Sequence, residues 1–512
     1  METQPQTSIP EVSIPSRVNG FIVAVCLAAG LRILIFSIGL PFFPLDEELH
    51  FDAIHKFATG YTATRDLPGF DPASAELIEL YHSPEFLKDP LPGKPFFPLP
   101  WWCNPTREQL PPELAYRVNE WLELRNVEIN APPVYYVIGA NWYKMGRLLG
   151  YSGIFLLYWL RSLNAIVYAL FVAISWLFVK ECYPENSYLH VSVPLFLAVF
   201  PQDALLFMIP NAMAPVFVAG LLLLLARLVR QPLRKMWFYL GVGLCAACAA
   251  LVGFGNFLIA IPLAIAVWSI LGELRAVADK SRRTTGVIAM LTVAAVPIGL
   301  WLMRNRVILG DWSGSKTKQQ YLGWSIQPFA HILRHPLFTW SGASYFFNTL
   351  SRNFWRGEMY WHAVPRVAWF DPIYLFGSIL CCGAFVVLLF RSPREGSLKR
   401  FADFSSVAMV VGSVLFLMAI SIPFDFGHCF YPSRARPYFV SGRIIIGVLL
   451  PFAIMFLRGL QILCNRVMPT MNPLIPAIAI TAGVFVAETW MFIPMLSSRF
   501  NLFSLLLGRS CG

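Results

Sequence analysis

Residues 18–51 read VNGFIVAVCLAAGLRILIFSIGLPFFPLDEELHF. The first part, 18–40, is an apolar run broken by one charge, Arg32. It exceeds the roughly 20 apolar residues that a helix needs to cross about 30 Å of hydrocarbon. No small-residue cleavage pattern closes it, so it is expected to remain as a signal anchor. The second part turns acidic: Asp46, Glu47 and Glu48 precede His50 and Phe51. Three carboxylates and an imidazole are thereby set at a membrane face, directly after a span.

The same pattern of apolar run and polar break continues along the chain. Candidate spans fall at about 18–40, 158–179, 188–207, 211–229, 236–254, 256–272, 284–303, 373–391, 405–424, 440–458 and 474–495. Hydrophobic residues are 57% of the 512 and charged residues 13%, half the charged share of an average soluble chain. A disordered protein, a secreted disulfide scaffold and an ordinary cytosolic enzyme are thereby excluded. The expectation is an all-α polytopic membrane protein with about 11 transmembrane helices. The stretch 132–150 mixes Asn141, Lys144 and Arg147 with Tyr and Trp after Pro132-Pro133, and is expected to be interfacial or re-entrant.

Charge sets the orientation. The short connections 227–235, 275–283, 391–400 and 458–466 hold fourteen Lys/Arg, whereas 201–211 and 254–257 hold none. The basic side is cytoplasmic by the positive-inside rule. Lys280 and Arg394 are then cytoplasmic, and Gly93 and Lys316 are outside. A first outer loop, 41–157, is expected to be largely irregular, with nine prolines in 84–112 and juxtamembrane helices at 46–59 and 112–127. Two further outer segments are expected at 304–372 and 425–439. The net charge of +11 comes without a basic tail, so nucleic acid is not an expected partner. Cys245 and Cys248 lie in an apolar run and read as small hydrophobes. Cys103 and Cys429 fall in outer loops, where an oxidising compartment could join them.

Three groups could carry chemistry. Asp46 and Glu47, after the first span, could act as general base or metal ligands, with His50 four residues from Asp46 on one helical face. Helix capping by Asp46 is the plainer account and is compatible with catalysis. Asp203 and Asn211 close the third span, where an ionisable side chain among apolar residues is costly. Alternatively Asp203 simply faces water. Arg304, His428, Arg434, Arg436 and Arg443 are expected outside, against the positive-inside trend, where a phosphate-bearing head group would explain them. Arg32 and Arg161, at or in spans, read as snorkelling.

This layout resembles the GT-C superfamily of membrane glycosyltransferases, whose members share a seven-span module with an acidic motif after the first span. Asp46-Glu47 matches that motif, and Asp203 matches a second acid at the outer end of the third span. Pro132-Pro133-Val134-Tyr135-Tyr136 looks like the proline–aromatic segment late in the first outer loop, and Leu160-Arg161-Ser162 like the opening of the second span. The chain is most similar to a bacterial family of multispan proteins of unassigned substrate, through Asp46 to Phe51, Phe354-Trp355-Arg356-Gly357 and Gly442-Arg443-Ile444.

The resemblance implies a GT-C fold with the seven-span module at 18–303, after a disordered cytoplasmic segment 1–17. A second outer loop, 304–372, and a four-span region, 373–512, would follow. It also implies an inverting transfer of a sugar from a polyprenyl-phosphate donor to a glycan, lipid or protein acceptor at the extracytoplasmic face of the cell membrane. Asp46 would be the base, with Glu47 second. His50, Arg304, Arg443, Arg434 and Arg436 would hold the phosphate, with Asn211 and His428 beside the substrate. Asp203 would orient the acceptor or a divalent metal, for which Asp46 and Glu47 are the other candidate ligands. A flippase for a lipid-linked sugar, and a glycan polymerase or ligase, are the alternatives. A flippase is expected to show paired inverted repeats, and none is evident.

Overall fold

A computed structural model describes residues 16–38, 40–43, 46–61, 64–83, 85, 103, 112–232, 234–272, 280–362, 364–365, 367–391, 396–429 and 431–508. Residues 1–15, most of the proline-rich stretch 84–112, Gly93, Arg366 and Arg394 lie outside them. Nine helical segments among the described residues are long and apolar enough to cross a membrane: Gly20–Ser37, Gly153–Cys182, Pro210–Arg230, Phe254–Gly272, Ser281–Ile308, Ala368–Arg391, Ser397–Ser421, Gly442–Val467 and Leu474–Leu496. Ser187–Ala198 and Met236–Ala250 are shorter apolar helices. These two correspond to the remaining candidate spans. The first stops early because Pro201 follows it, and the chain leaves helical geometry before a short 3-10 turn, Asp203–Leu205. The chain is a multi-pass, all-α membrane protein.

The first span, Ser16–Ile38, packs along Gly153–Cys182, and the helices Asp371–Arg391 and Leu449–Val467 pack on each other. Val134–Leu148 is amphipathic and lies on Glu47–Thr59 and Gly153–Cys182. The first long segment holds the two expected helices, Glu47–Thr59 and Pro112–Glu123, and one that was not expected, Pro72–Leu80. Its N-cap, Asp71, accepts from Ala73 N, and Pro72 occupies the first turn.

Arg32 and Arg161 do not snorkel. Both are buried. Arg32 is bonded to Glu488 in the last span, and its Nη2 donates to the Phe200 carbonyl at 3.2 Å. Bare charges at this depth are expensive, so each is paired inside the bundle.

The long connecting segments converge at one end of the bundle. Lys318 pairs with Glu128, Ser325–Ile326 pairs antiparallel with Phe424–Asp425, and His362 N donates to the Glu85 carbonyl at 2.7 Å. At the opposite end, Arg230 pairs with Glu181 at 2.8 Å, and Arg458 pairs with Asp403. The Cys103–Cys429 bond that the sequence left open does not form: Cys103 is in a disulfide, whereas Cys429 is a free thiol whose Sγ lies 3.4 Å from the Tyr431 carbonyl.

Candidate active site

A cavity of about 1550 Å³ opens where the long segments meet the bundle. Its walls come from elements far apart in sequence: the start of Glu47–Thr59, residues 127–132, the turn 313–315 with Lys318, the helix Trp340–Arg356, and residues 428–444.

Asp46 enters this cavity by an uncommon backbone. It occupies the N-cap position of Glu47–Thr59 with φ 67°, in the left-handed region, and its side chain makes no cap hydrogen bond. A non-glycine residue there is strained by about 1–3 kcal/mol and persists only where its surroundings hold it. The capping account therefore fails for the side chain. The carboxylate turns instead to Arg443, whose Nη2 donates to Oδ2 at 2.5 Å. The Asp46 side chain is 42% exposed to the cavity. Burial acts to raise its pKa, but the Arg443 guanidinium, assisted by His50 and Lys318, outweighs burial and holds it below the usual carboxylate range. Asp46 is thus an anion at neutral pH.

Glu47, one residue on, faces the other way. It is fully buried and takes two bonds from Arg161, Nε to Oε1 at 2.8 Å and Nη2 to Oε2 at 2.6 Å. It also accepts from Phe43 N and Met208 N, each at 3.0 Å. Arg161 in turn donates to the carbonyls of Ser37, Leu40 and Pro41 at the end of the first span. Every lone pair of Glu47 is spent on the scaffold, so its assignment as second base is withdrawn.

Asp203 does not face water and does not line the cavity; it is 1% exposed. It lies beneath the loop carrying Glu358, whose backbone N–H donates to Oδ2 at 2.8 Å. Burial, with Glu358 nearby, pushes its pKa up to about 7. Gly357 makes this contact achievable. Its φ is 82°, and a β-carbon there would lie 2.0 Å from the Asp203 carboxyl carbon. Gln202 extends the clamp by donating to the Asn353 and Phe354 carbonyls at 2.7 and 3.0 Å. Asp203 is therefore a positioning residue for the 353–358 segment.

That segment meets the Gly442-Arg443 turn backbone to backbone. A β-carbon on Gly442 would sit 2.2 Å from the Phe354 α-carbon. Asn353 donates to the Val440 carbonyl at 3.0 Å, and Asn211 to the Arg443 carbonyl at 2.8 Å. Phe354 and Trp355 pack on Phe200 and Phe452. The result is a row of alternating charge. Asp46 meets Arg443, and Arg443 Nε lies 3.9 Å from Glu358. His50 joins the same wall, with Nδ1 2.8 Å from the Tyr136 hydroxyl. Its burial drops its pKa to about 4, so it is neutral at neutral pH.

Of the sequence candidates, the cavity brings together Asp46, His50, Asn211, His428, Arg436 and Arg443. Arg304 and Arg434 are not in its lining: Arg304 bonds Asn305, and Arg434 makes a two-point pair with Asp425 at 3.0 and 2.8 Å. Their assignment to the phosphate is likewise withdrawn. Glu128, Lys318, Arg352 and Glu358 line the cavity and were not among the assigned site residues. Charges in polar loops read as solvated, and only their convergence marks them.

Among the described residues no group of three or more His, Cys, Asp and Glu could hold a metal ion. Asp46, Glu47 and Asp203 do not converge, and the position between Asp46 and Glu358 already holds a guanidinium. The described residues do not fit a bound divalent ion.

No family model matches the chain, and no curated protein matches it. Solved structures similar to it include the Archaeoglobus fulgidus oligosaccharyltransferase, at 13% identity over 91% of this chain and 52% of that one, with a TM-score of 0.43. The chain spans about half the length of that protein. ArnT from Cupriavidus metallidurans bound to undecaprenyl phosphate is 14% identical over 97% of this chain and 74% of that one, with a TM-score of 0.43. Arabinosyltransferase EmbB from Mycobacterium smegmatis is 13% identical over 98% of this chain and 44% of that one, with a TM-score of 0.39. The assignments above rest on this chain's own geometry.

Proposed function

We propose that the chain is a membrane glycosyltransferase that moves a sugar from a polyprenyl-phosphate donor to an acceptor hydroxyl, with inversion, at the extracytoplasmic face. The observation that carries this is Asp46: an ionised, cavity-facing carboxylate on a strained backbone, paired to an arginine and not spent on its helix.

The acceptor O–H approaches Asp46, which takes the proton as the new C–O bond forms at the anomeric carbon. The bond from that carbon to the phosphate oxygen breaks on the opposite side, and the lipid phosphate leaves with the electron pair. Arg443 is placed to meet that charge, because a guanidinium binds phosphate oxygens as readily as a carboxylate. The pairing also tunes the base. While Arg443 rests wholly on Asp46, the carboxylate is a weak base. As the guanidinium turns toward the developing phosphate anion, burial is less opposed and Asp46 gains proton affinity in step with bond making. Asn211, Asn353 and Asp203 hold the two backbones that bring Arg443 and Glu358 to this position.

The test uses purified full-length protein in lipid nanodiscs, with a panel of polyprenyl-phosphate sugars and radiolabelled sugar released or transferred as the readout. Consumption of at least one donor by wild type, abolished in Asp46→Asn, is the expected result. Binding of the lipid without any turnover across the panel would favour carriage of a lipid-linked sugar instead.

A further inference from the structure

The transfer step gives Glu358 no part, although the fold fixes this residue closely at the cavity wall. Gly357 precedes it with a left-handed φ of 82°, and the buried Asp203 carboxyl accepts its backbone N–H at 2.8 Å. Asn353 Nδ2 donates to Glu358 Oε1 at 3.2 Å and to the Val440 carbonyl at 3.0 Å. One amide thereby ties this carboxyl to the backbone that carries Arg443. The Ser441 hydroxyl makes a second tie. It accepts from Arg443 Nε at 3.3 Å and hydrogen-bonds to the Glu358 carboxylate. Glu358 Oε2 lies 3.9 Å from that same Nε. Burial raises the Glu358 pKa, and Arg443 is the largest influence opposing it, ahead of Ser441 and Arg352. Arg443 is therefore held at two ends. Its Nη2 meets Asp46, and its Nε edge meets Ser441 and Glu358.

A guanidinium is a rigid planar fork whose Nε edge and Nη ends bond different groups at once. When the Nη2 end turns from Asp46 toward the phosphate, a mostly buried charge gives up its nearest partner. Breaking such a pair with nothing in its place is costly. A carboxylate on the Nε edge reduces that cost, because it stays with the guanidinium while the far end moves. The negative charge of Glu358 suits it to this task and not to the phosphate, which it would repel.

We infer that Glu358 is the fixed counter-charge of Arg443: it holds the Nε edge, with Ser441 between them, while the Nη2 end passes from Asp46 to the leaving phosphate. The inference rests on the transfer reading above. Glu358 is a positioning residue that acts through Arg443 and takes no proton.

Single-turnover transfer by the full-length protein in nanodiscs tests this, with the polyprenyl-phosphate sugar that wild type consumes as donor. The variants are Glu358→Gln, Glu358→Asp, Arg443→Gln and the double variant Glu358→Gln/Arg443→Gln. Retained binding of undecaprenyl phosphate shows that each is folded. Glu358→Gln keeps the shape and removes the charge, and should slow transfer roughly tenfold or more, the scale of one charge-assisted contact. Glu358→Asp, which keeps the charge, should recover most of that loss. In the Arg443→Gln background, Glu358→Gln should change transfer by less than about twofold, because the residue through which it acts is gone. Normal transfer by Glu358→Gln overturns the inference. An equal loss in both backgrounds also overturns it, since Glu358 would then act on the substrate directly. Loss of undecaprenyl phosphate binding and transfer together in both Glu358→Gln and Glu358→Asp overturns it as well, because the residue would then only shape the cavity. A wild type that consumes no donor overturns the transfer reading itself, and the role of Glu358 with it.

Discussion

Replacing Asp46 by asparagine removes one charge and almost no volume. Asparagine tolerates the left-handed backbone better than most residues, so the φ of 67° is retained. The Asp46 side chain makes no cap bond, so the roughly 1 kcal/mol that a lost N-cap costs does not arise. What is lost is the proton acceptor in the cavity and half of the 2.5 Å pair with Arg443. General-base catalysis contributes about 10²–10⁴ in rate, equivalent to about 2.7–5.5 kcal/mol on the barrier. Turnover should therefore fall at least about 100-fold. Donor binding should hold or tighten, because Arg443 no longer has a competing carboxylate. Single-turnover transfer from a preloaded donor separates the two effects. Near-normal transfer by a folded Asp46→Asn protein would refute the assignment.

Four further outcomes are expected. In Arg443→Gln the largest influence that opposes burial at Asp46 is gone, leaving only His50 and Lys318, so the carboxyl rises; because the base must be deprotonated, the acid limb of the rate–pH profile should move to higher pH than in wild type. Glu47→Gln leaves the fully buried Arg161 charge uncompensated and should cost about 3–5 kcal/mol of stability, read as loss of folded protein on heating in detergent; a Glu47→Gln protein of wild-type stability without turnover would restore Glu47 as a base. Gly357→Ala forces a β-carbon into the Asp203 carboxyl at a positive φ, and should destabilise by at least about 1 kcal/mol and reduce turnover by displacing Glu358 and Arg443. Cysteines at Lys316 and Lys235 should label from opposite sides of the membrane, Lys316→Cys from outside, and labelling of both from one side would overturn the orientation.

The spans were legible because hydropathy is additive along a run. The end of Ser187–Ala198 was not, because the residues after it are apolar yet fold as a turn that seats Asp203. Asp46 and Arg443 were each visible as an acid after a span and an arginine opening one. Their contact joins residues 397 apart and has no local signature. Glu47 was misassigned because adjacent carboxylates look alike in sequence, whereas a left-handed residue followed by a helix sends them to opposite sides. Arg32 and Arg161 were taken as snorkelling because the carboxylates that neutralise them, Glu488 and Glu47, are 456 and 114 residues away. Lys318 and Arg352 are two of many basic residues in the outer segment 304–372 that a phosphate head group could explain, with nothing in the sequence to choose between them, and Glu128 and Glu358 carry no pattern beyond their charge.

The bond between Arg32 and Glu488 also has a bearing on how the chain is made. Arg32 sits in the first span and Glu488 in the last, Leu474–Leu496. During synthesis the arginine enters the bilayer long before its counter-charge exists. Once the second and third apolar segments have followed, it has the face of Tyr168, 5.7 Å away, and the Phe200 carbonyl. A lone arginine costs at most about 2.5–3.5 kcal/mol on insertion scales, the value at the centre of a span, and Arg32 lies nearer the end of Gly20–Ser37. That deficit is cancelled only when the final helix docks. A chain ending before residue 474 would keep every side chain of the cavity lining and still carry an unneutralised charge in its interior. The stability of the first helix is thus tied to the presence of the last one.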